Sequence, residues 1–143
     1  MTSKRIEDKE AVEKFLTDLK YALAHRATLI FQEARMVDAN RDIRHTNRFT
    51  VADLFPDEDT REVLSRELKS LTVKDYLRTV EDAKFPNRGE MREFGKVYDG
   101  GAEVYIKVRV ELLNPLYGGK HTIFVMSFHY AETPFAQERF PYG

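Results

Sequence analysis

Apolar residues at helical spacing open the chain. Val12, Phe15, Leu16, Leu19 and Leu23 recur at i, i+3 and i+4, which predicts an amphipathic helix over about residues 8–25. Residues 27–35 fit either an extension of that helix or a strand; Thr28, Ile30 and Phe31 favour the strand. Residues 36–49 are polar and broken, and read as a loop. Thr50 followed by Asp53 starts a helix, and Asp57 opens another with Val63, Leu64 and Leu68 on one face. Thr72-Val-Lys-Asp75 is a sharper start signal, with a hydroxyl to cap a backbone N–H and an acid in the positive first turn. That helix would run through Tyr76, Leu77 and Val80. It would stop before Phe85-Pro86, because a residue preceding proline resists the helical region.

Asn87-Arg-Gly89 turns the chain, and the period then changes to two. Residues 91–97 predict a strand, Asp99-Gly100-Gly101 a hairpin turn, and residues 103–111 a strand with strict alternation. Val104, Ile106, Val108 and Val110 point one way; Glu103, Tyr105, Lys107, Arg109 and Glu111 point the other. Asn114-Pro115 and Gly118-Gly119 mark a loop before a last strand over residues 123–132. There Phe124, Met126, Phe128 and Tyr130 share one face, expected to pack with the valine row under the helices. Ile123, Val125, Ser127 and His129 share the other. Helices first and an antiparallel sheet last give an α+β class. The chain reads as one domain over residues 1–143, with a helical portion to about residue 83 and a sheet portion over about residues 90–132.

Pairing the last two strands antiparallel leaves two same-face registers. One sets Tyr105 opposite His129 and Lys107 opposite Ser127; the other sets Tyr105 opposite Ser127. In either, opposed Cβ atoms lie roughly 5 Å apart. Tyr, Lys, Arg, Ser and His on one stiff sheet face suit transesterification of RNA. A base takes the 2′-hydroxyl proton, cations stabilise the crowded phosphorus centre, and an acid protonates the leaving oxygen. An imidazole titrating near ~6.5 in water serves either proton role. Lys107 and Arg109 supply positive charge. The same pattern also suits a wet sheet face whose charges serve solubility, and pattern alone leaves both readings open.

Composition narrows the class without choosing between them. The 42% hydrophobic and 33% charged content of these 143 residues is that of a globular protein. Cysteine is absent, which excludes disulfides, thiolate metal sites and thiol nucleophiles. No apolar run is long enough for a membrane helix and no signal peptide is evident, so a cytoplasmic protein without a membrane partner is the simplest reading. The net charge of −1 gives no global case for nucleic acid. Locally, Arg41, Arg44, His45 and Arg48 form a basic segment, followed by the acidic group Asp53, Asp57, Glu58, Asp59 and Glu62.

Several pieces in order carry a resemblance: Leu71-Thr-x-x-Asp75-Tyr76, Glu93-Phe-Gly-Lys96, Glu103-Val-Tyr-Ile-Lys107, Ser127-Phe-His129 with Ala131-Glu132, and Phe140-Pro-Tyr142. Residues 72–132 and this C-terminal tripeptide resemble the MqsR family of bacterial toxin–antitoxin toxins. About half of the chain carries the match; residues 1–70 match in helix-rich character. The resemblance implies a RelE-like fold, endoribonuclease cleavage of mRNA without a metal or other cofactor, and inhibition by a cognate antitoxin. It carries the family's tyrosine onto Tyr105, its first lysine onto Arg78, its glutamine onto Arg92 or Glu93, and its last lysine onto His129. Histidine in place of lysine brings acid–base chemistry where the family has charge. On this reading Tyr105 and His129 handle protons. Arg78, Lys107 and Arg92 hold phosphate, with Arg109, Ser127 and Arg48 as further RNA contacts. His25 reads as a helix-end residue, His45 as part of a solvated loop, and His121 as a loop residue outside any zinc site. Asp57-Glu58-Asp59 reads as a helix start.

Overall fold

The computed structural model describes residues 2–32, 45–82, 89–113 and 120–143. Within them the chain runs β1 (Thr2–Arg5), α1 (Lys9–Ala24), β2 (Thr28–Phe31), α2 (Asn47–Leu54), α3 (Thr60–Lys69), β3 (Tyr76–Asp82), β4 (Met91–Tyr98), β5 (Ala102–Glu111) and β6 (Thr122–Tyr130). The class is α+β. The six strands form one sheet in the order β1-β3-β4-β5-β6-β2, antiparallel except for the parallel β2–β6 pair.

Helix α1 starts where Asp8 accepts a hydrogen bond from Ala11 N at 2.8 Å, and it buries Val12, Phe15, Leu16 and Leu19. Helix α3 buries Val63, Leu64 and Leu68 beside it. These stripes meet Phe94, Val104, Ile106, Val108, Ile123, Val125 and Phe128 in one apolar cluster on a single face of the sheet.

The region up to residue 83 is less helical than expected, since it supplies β1 and β3 as well as β2, the strand expected within residues 27–35. β1 is a short polar edge strand and carries no apolar alternation. The helix expected from Thr72 is a single turn over Val73–Asp75. Its cap is real, with Asp75 accepting from Thr72 N at 2.9 Å, but the chain then becomes β3. Tyr76, Leu77, Thr79 and Val80 are all buried, and the register shift between Tyr76 and Arg78 interrupts the alternation of the strand. Helix α2 begins at Asn47, earlier than the expected start at Thr50, with Thr46 as its cap. Asp57 holds a left-handed φ of 66° ahead of α3, and Asp59 is the residue that caps it. Residues 33–44, Phe85-Pro86, Asn87-Arg88 and the 114–119 loop lie outside the described residues.

Alternation breaks twice, each time at one extra residue. The β5–β6 register sets Tyr105 opposite His129 and Lys107 opposite Ser127, then shifts so that Val108 meets Val125 and Val110 meets Ile123. The shift falls at Met126. Consequently Ile123 and Val125, not the expected Phe124 and Met126, join Phe128 in the core. β3 shifts likewise at Leu77, so Tyr76 pairs with Phe94 on the helix side while Arg78 pairs with Glu93 on the open side. A β-bulge re-aims the side chains beyond it, which is what both shifts accomplish.

Asn47 holds the bulge at Met126. Its amide donates to Met126 O at 3.0 Å and Gln32 O at 2.7 Å, and its oxygen accepts from Phe128 N at 3.0 Å. Thr50 accepts from Tyr130 N at 2.9 Å, and His45 Nδ1 donates to Tyr130 O at 3.0 Å. Where β2 ends, side chains of α2 thus replace a neighbouring strand along the edge of β6. His45 is therefore a half-buried structural donor, not the solvated loop residue the sequence suggested.

A second polar group lies buried on the helix side. Glu7 accepts from Arg92 (2.9 and 3.0 Å) and from Thr79 (2.8 Å), and Arg92 lies 4.9 Å from the centroid of Phe15. Burial alone would raise the Glu7 pKa; the Arg92 and Thr79 hydrogen bonds outweigh it and hold the carboxyl below its usual 4.5.

Two outcomes follow. Asn47→Ala strands buried backbone groups on β6 and should lower stability by about 2–4 kcal/mol in urea unfolding. Glu7 stabilises the fold at pH values above its usual pKa, and that contribution disappears as pH falls through the depressed one. Glu7→Gln should therefore cost stability at neutral pH and flatten the acid side of the stability–pH curve.

Candidate active site

The sheet face away from the helices carries a cleft of about 380 Å³. Every strand from β1 to β6 except β2 contributes to it. Lys4 comes from β1, Arg78 from β3, Glu93 from β4, Tyr105 and Lys107 from β5, and Ser127 and His129 from β6; Glu132 and Glu138 follow from the C-terminal segment. Rigid neighbouring strands fix these side chains relative to one another, which suits chemistry that depends on position.

Tyr105 and His129 face each other across β5 and β6, with ring centroids 5.3 Å apart and planes inclined by 37°. His129 is only 6% exposed and forms part of the cleft floor. Its Nδ1 lies 2.9 Å from Tyr130 O. A carbonyl can only accept, so Nδ1 carries the proton and Nε2 is the basic nitrogen of the neutral ring.

Arg78 sits between two carboxylates. Glu93 accepts from Nη1 at 2.6 Å, and Glu138 accepts from Nη2. Burial works against the guanidinium charge, but the Glu93 and Glu138 interactions prevail and raise its pKa above the ordinary arginine value. Across the cleft Lys4, Arg78 and Lys107 are matched by Glu93, Glu132 and Glu138, so the charges balance before His129 is counted. Among the described residues no cluster of three or more His, Asp or Glu side chains is placed to hold a metal ion.

Five of the residues singled out from sequence therefore share the cleft: Arg78, Tyr105, Lys107, Ser127 and His129. Three do not. Arg92 points to the opposite face, where Glu7 holds it beneath α1, because Phe94 and Arg92 alternate with Glu93. Arg109 pairs with Phe124 beyond the Met126 bulge, its guanidinium 4.2 Å from the ring centroid, outside the cleft lining. Arg48 is exposed on α2 and also lies outside it. Arg41 and Arg44 fall outside the described residues.

Of the two positions that the resemblance offered for the glutamine, Glu93 is the one that lines the cleft, directly opposite Lys107. Lys4 and Glu138 carry no local signal, since only tertiary structure brings both ends of the chain to the cleft. The remaining histidines have structural partners: His25 Nδ1 donates to Tyr21 O at 2.8 Å, and His121 Nδ1 accepts from Leu113 N at 3.0 Å. Comparison of the chain with protein-family models, with curated proteins and with solved structures finds no match.

The ionic cluster makes its own prediction. Arg78→Gln leaves Glu93 and Glu138 close together without their cation, at an expected cost of about 2–3 kcal/mol at neutral pH. Urea unfolding repeated near pH ~4–5, in the range where carboxylates protonate, should show the gap from wild type narrowing.

Proposed function

We propose that this protein is a toxin-type endoribonuclease on a RelE-like scaffold. It cuts mRNA by attack of the 2′-hydroxyl on the adjacent phosphodiester and is silenced by a cognate antitoxin. The observation that carries this reading is the pairing of Tyr105 with His129 in a cleft that also holds Lys107 and Arg78. The resemblance to the MqsR toxins, drawn from residues on the same strands, points the same way.

The chemistry balances with the chain's own groups. His129 Nε2 takes the 2′-hydroxyl proton as the O2′–P bond forms. Lys107 and Arg78 lower the energy of the negative phosphorane by placing fixed positive charge beside it. The P–O5′ bond breaks, and the Tyr105 phenol delivers a proton to the leaving oxygen. The products are a 2′,3′-cyclic phosphate and a 5′-hydroxyl, and the imidazolium then returns its proton to the phenolate. Charge compensation rests on Lys107 and Arg78, so the reaction on this reading asks for no metal or other cofactor.

A second reading has an observation in its favour. Arg78 is already engaged by Glu93 and Glu138, and the cleft charges balance, which suits a binding module that performs no chemistry. Incubating purified protein with a long RNA in EDTA separates the two. Fragments with cyclic phosphate ends are expected; intact RNA that is merely retarded on a gel favours the binder. Tyr105→Phe and His129→Ala should each reduce the cleavage rate by about 10²–10⁴-fold with unchanged circular dichroism. Full activity in both variants removes the assignment.

A further inference from the structure

The chain after β6 forms a strap across one end of the open sheet face. Ala131 N donates to Glu103 O at 2.9 Å, and Phe135 N donates to the Glu103 carboxylate at 3.0 Å. Phe135 and Phe140 close on Gly95, where an added Cβ would lie 2.7 Å from the Phe135 ring. Tyr142 stacks on Tyr76 with centroids 6.2 Å apart and donates to Glu7 O at 2.5 Å. Glu138 lies between these anchors and reaches Arg78.

We propose that Glu138 is a tethered competitor for the phosphate group of the substrate. Its carboxylate occupies the donors of Arg78 that an RNA phosphodiester needs, and binding requires its displacement. This inference rests on the cleft being an RNA site. A guanidinium presents the same planar fork to carboxylate and phosphate, so the two ligands exclude each other on one edge.

The two carboxylates on Arg78 differ in their freedom to leave. Glu93 is 7% exposed on the interior strand β4, whereas Glu138 is 20% exposed on the strap. The strap's anchors are aromatic contacts and hydrogen bonds on either side of Glu138, none of which uses its carboxylate. Glu138 can therefore rotate away while the strap stays in place. Glu93 remains to orient the guanidinium, and the incoming phosphate restores the charge pair.

The apparent affinity for substrate is then reduced by the fraction of molecules in which Glu138 holds Arg78. The test is binding of a 2′-O-methyl oligoribonucleotide, which lacks the attacking hydroxyl, to wild type and to Glu138→Gln. Binding should tighten by about 5- to 10-fold in the variant, and the gain should vanish when Arg78→Gln is added. Unchanged or weaker binding in Glu138→Gln overturns the competitor, as does an equal gain in the Arg78→Gln background or the absence of binding in both proteins. Cleavage of ordinary RNA is scored in parallel. Tighter binding without cleavage keeps the competitor and removes the nuclease; cleavage with unchanged binding keeps the nuclease and removes the competitor.

Discussion

Side chains on a strand must alternate between faces, and β3 and β6 each need to break that rule once. In β6, uninterrupted alternation would put Ile123, Val125, Ser127 and His129 on the same side. Either the imidazole would enter the apolar core or two apolar residues would leave it. The extra residue at Met126 resolves the conflict, and the Leu77 shift does the same for Tyr76 and Arg78. The Asn47 amide makes the first of these shifts tolerable. It supplies the hydrogen bonds that the displaced backbone would lack, spanning the bulge from Met126 O to Phe128 N. Without that edge support, β6 has no reason to hold the register that aims His129 at Tyr105.

The sheet separates two ionic clusters that composition makes look alike. On the helix side, Arg92 is enclosed with Glu7 and Thr79 beneath the Phe15 ring. It satisfies the buried carboxylate of Glu7. On the open side, Arg78 meets Glu93 and Glu138 at the wall of a cleft. The two arginines stand on adjacent strands and differ in surroundings because one residue of phase turns a side chain from one face to the other.

Both ends of the chain converge on the cleft. β1 adds Lys4 beside β3, and the strap brings Glu138 over β3 and β4. Gly95 permits this, because a side chain there would occupy the space taken by Phe135 and Phe140. A glycine in an interior strand weakens the strand, and here the close approach of two aromatic rings accounts for it. The tail thus belongs to the architecture of the cleft and cannot be treated as an appendage to it.

The sequence determined much of this on its own. The 3.6-residue period of α1 and α3, the two-residue period of β5, the glycine turn at Gly100-Gly101 and the shared face of Tyr105, Lys107, Ser127 and His129 were all legible, because each is a local pattern imposed by backbone geometry. Tertiary structure decided the rest. The register shift in β3 interrupts its alternation, which let a genuine capping signal at Thr72 pass for a helix. The bulges at Leu77 and Met126 depend on partners distant in sequence. The face of Arg92, the clamp on Arg78, and the arrival of Lys4 and Glu138 depend on partners as far as 85 residues away along the chain. Local periodicity reports where a side chain points relative to its own strand; only packing against other strands decides what it meets.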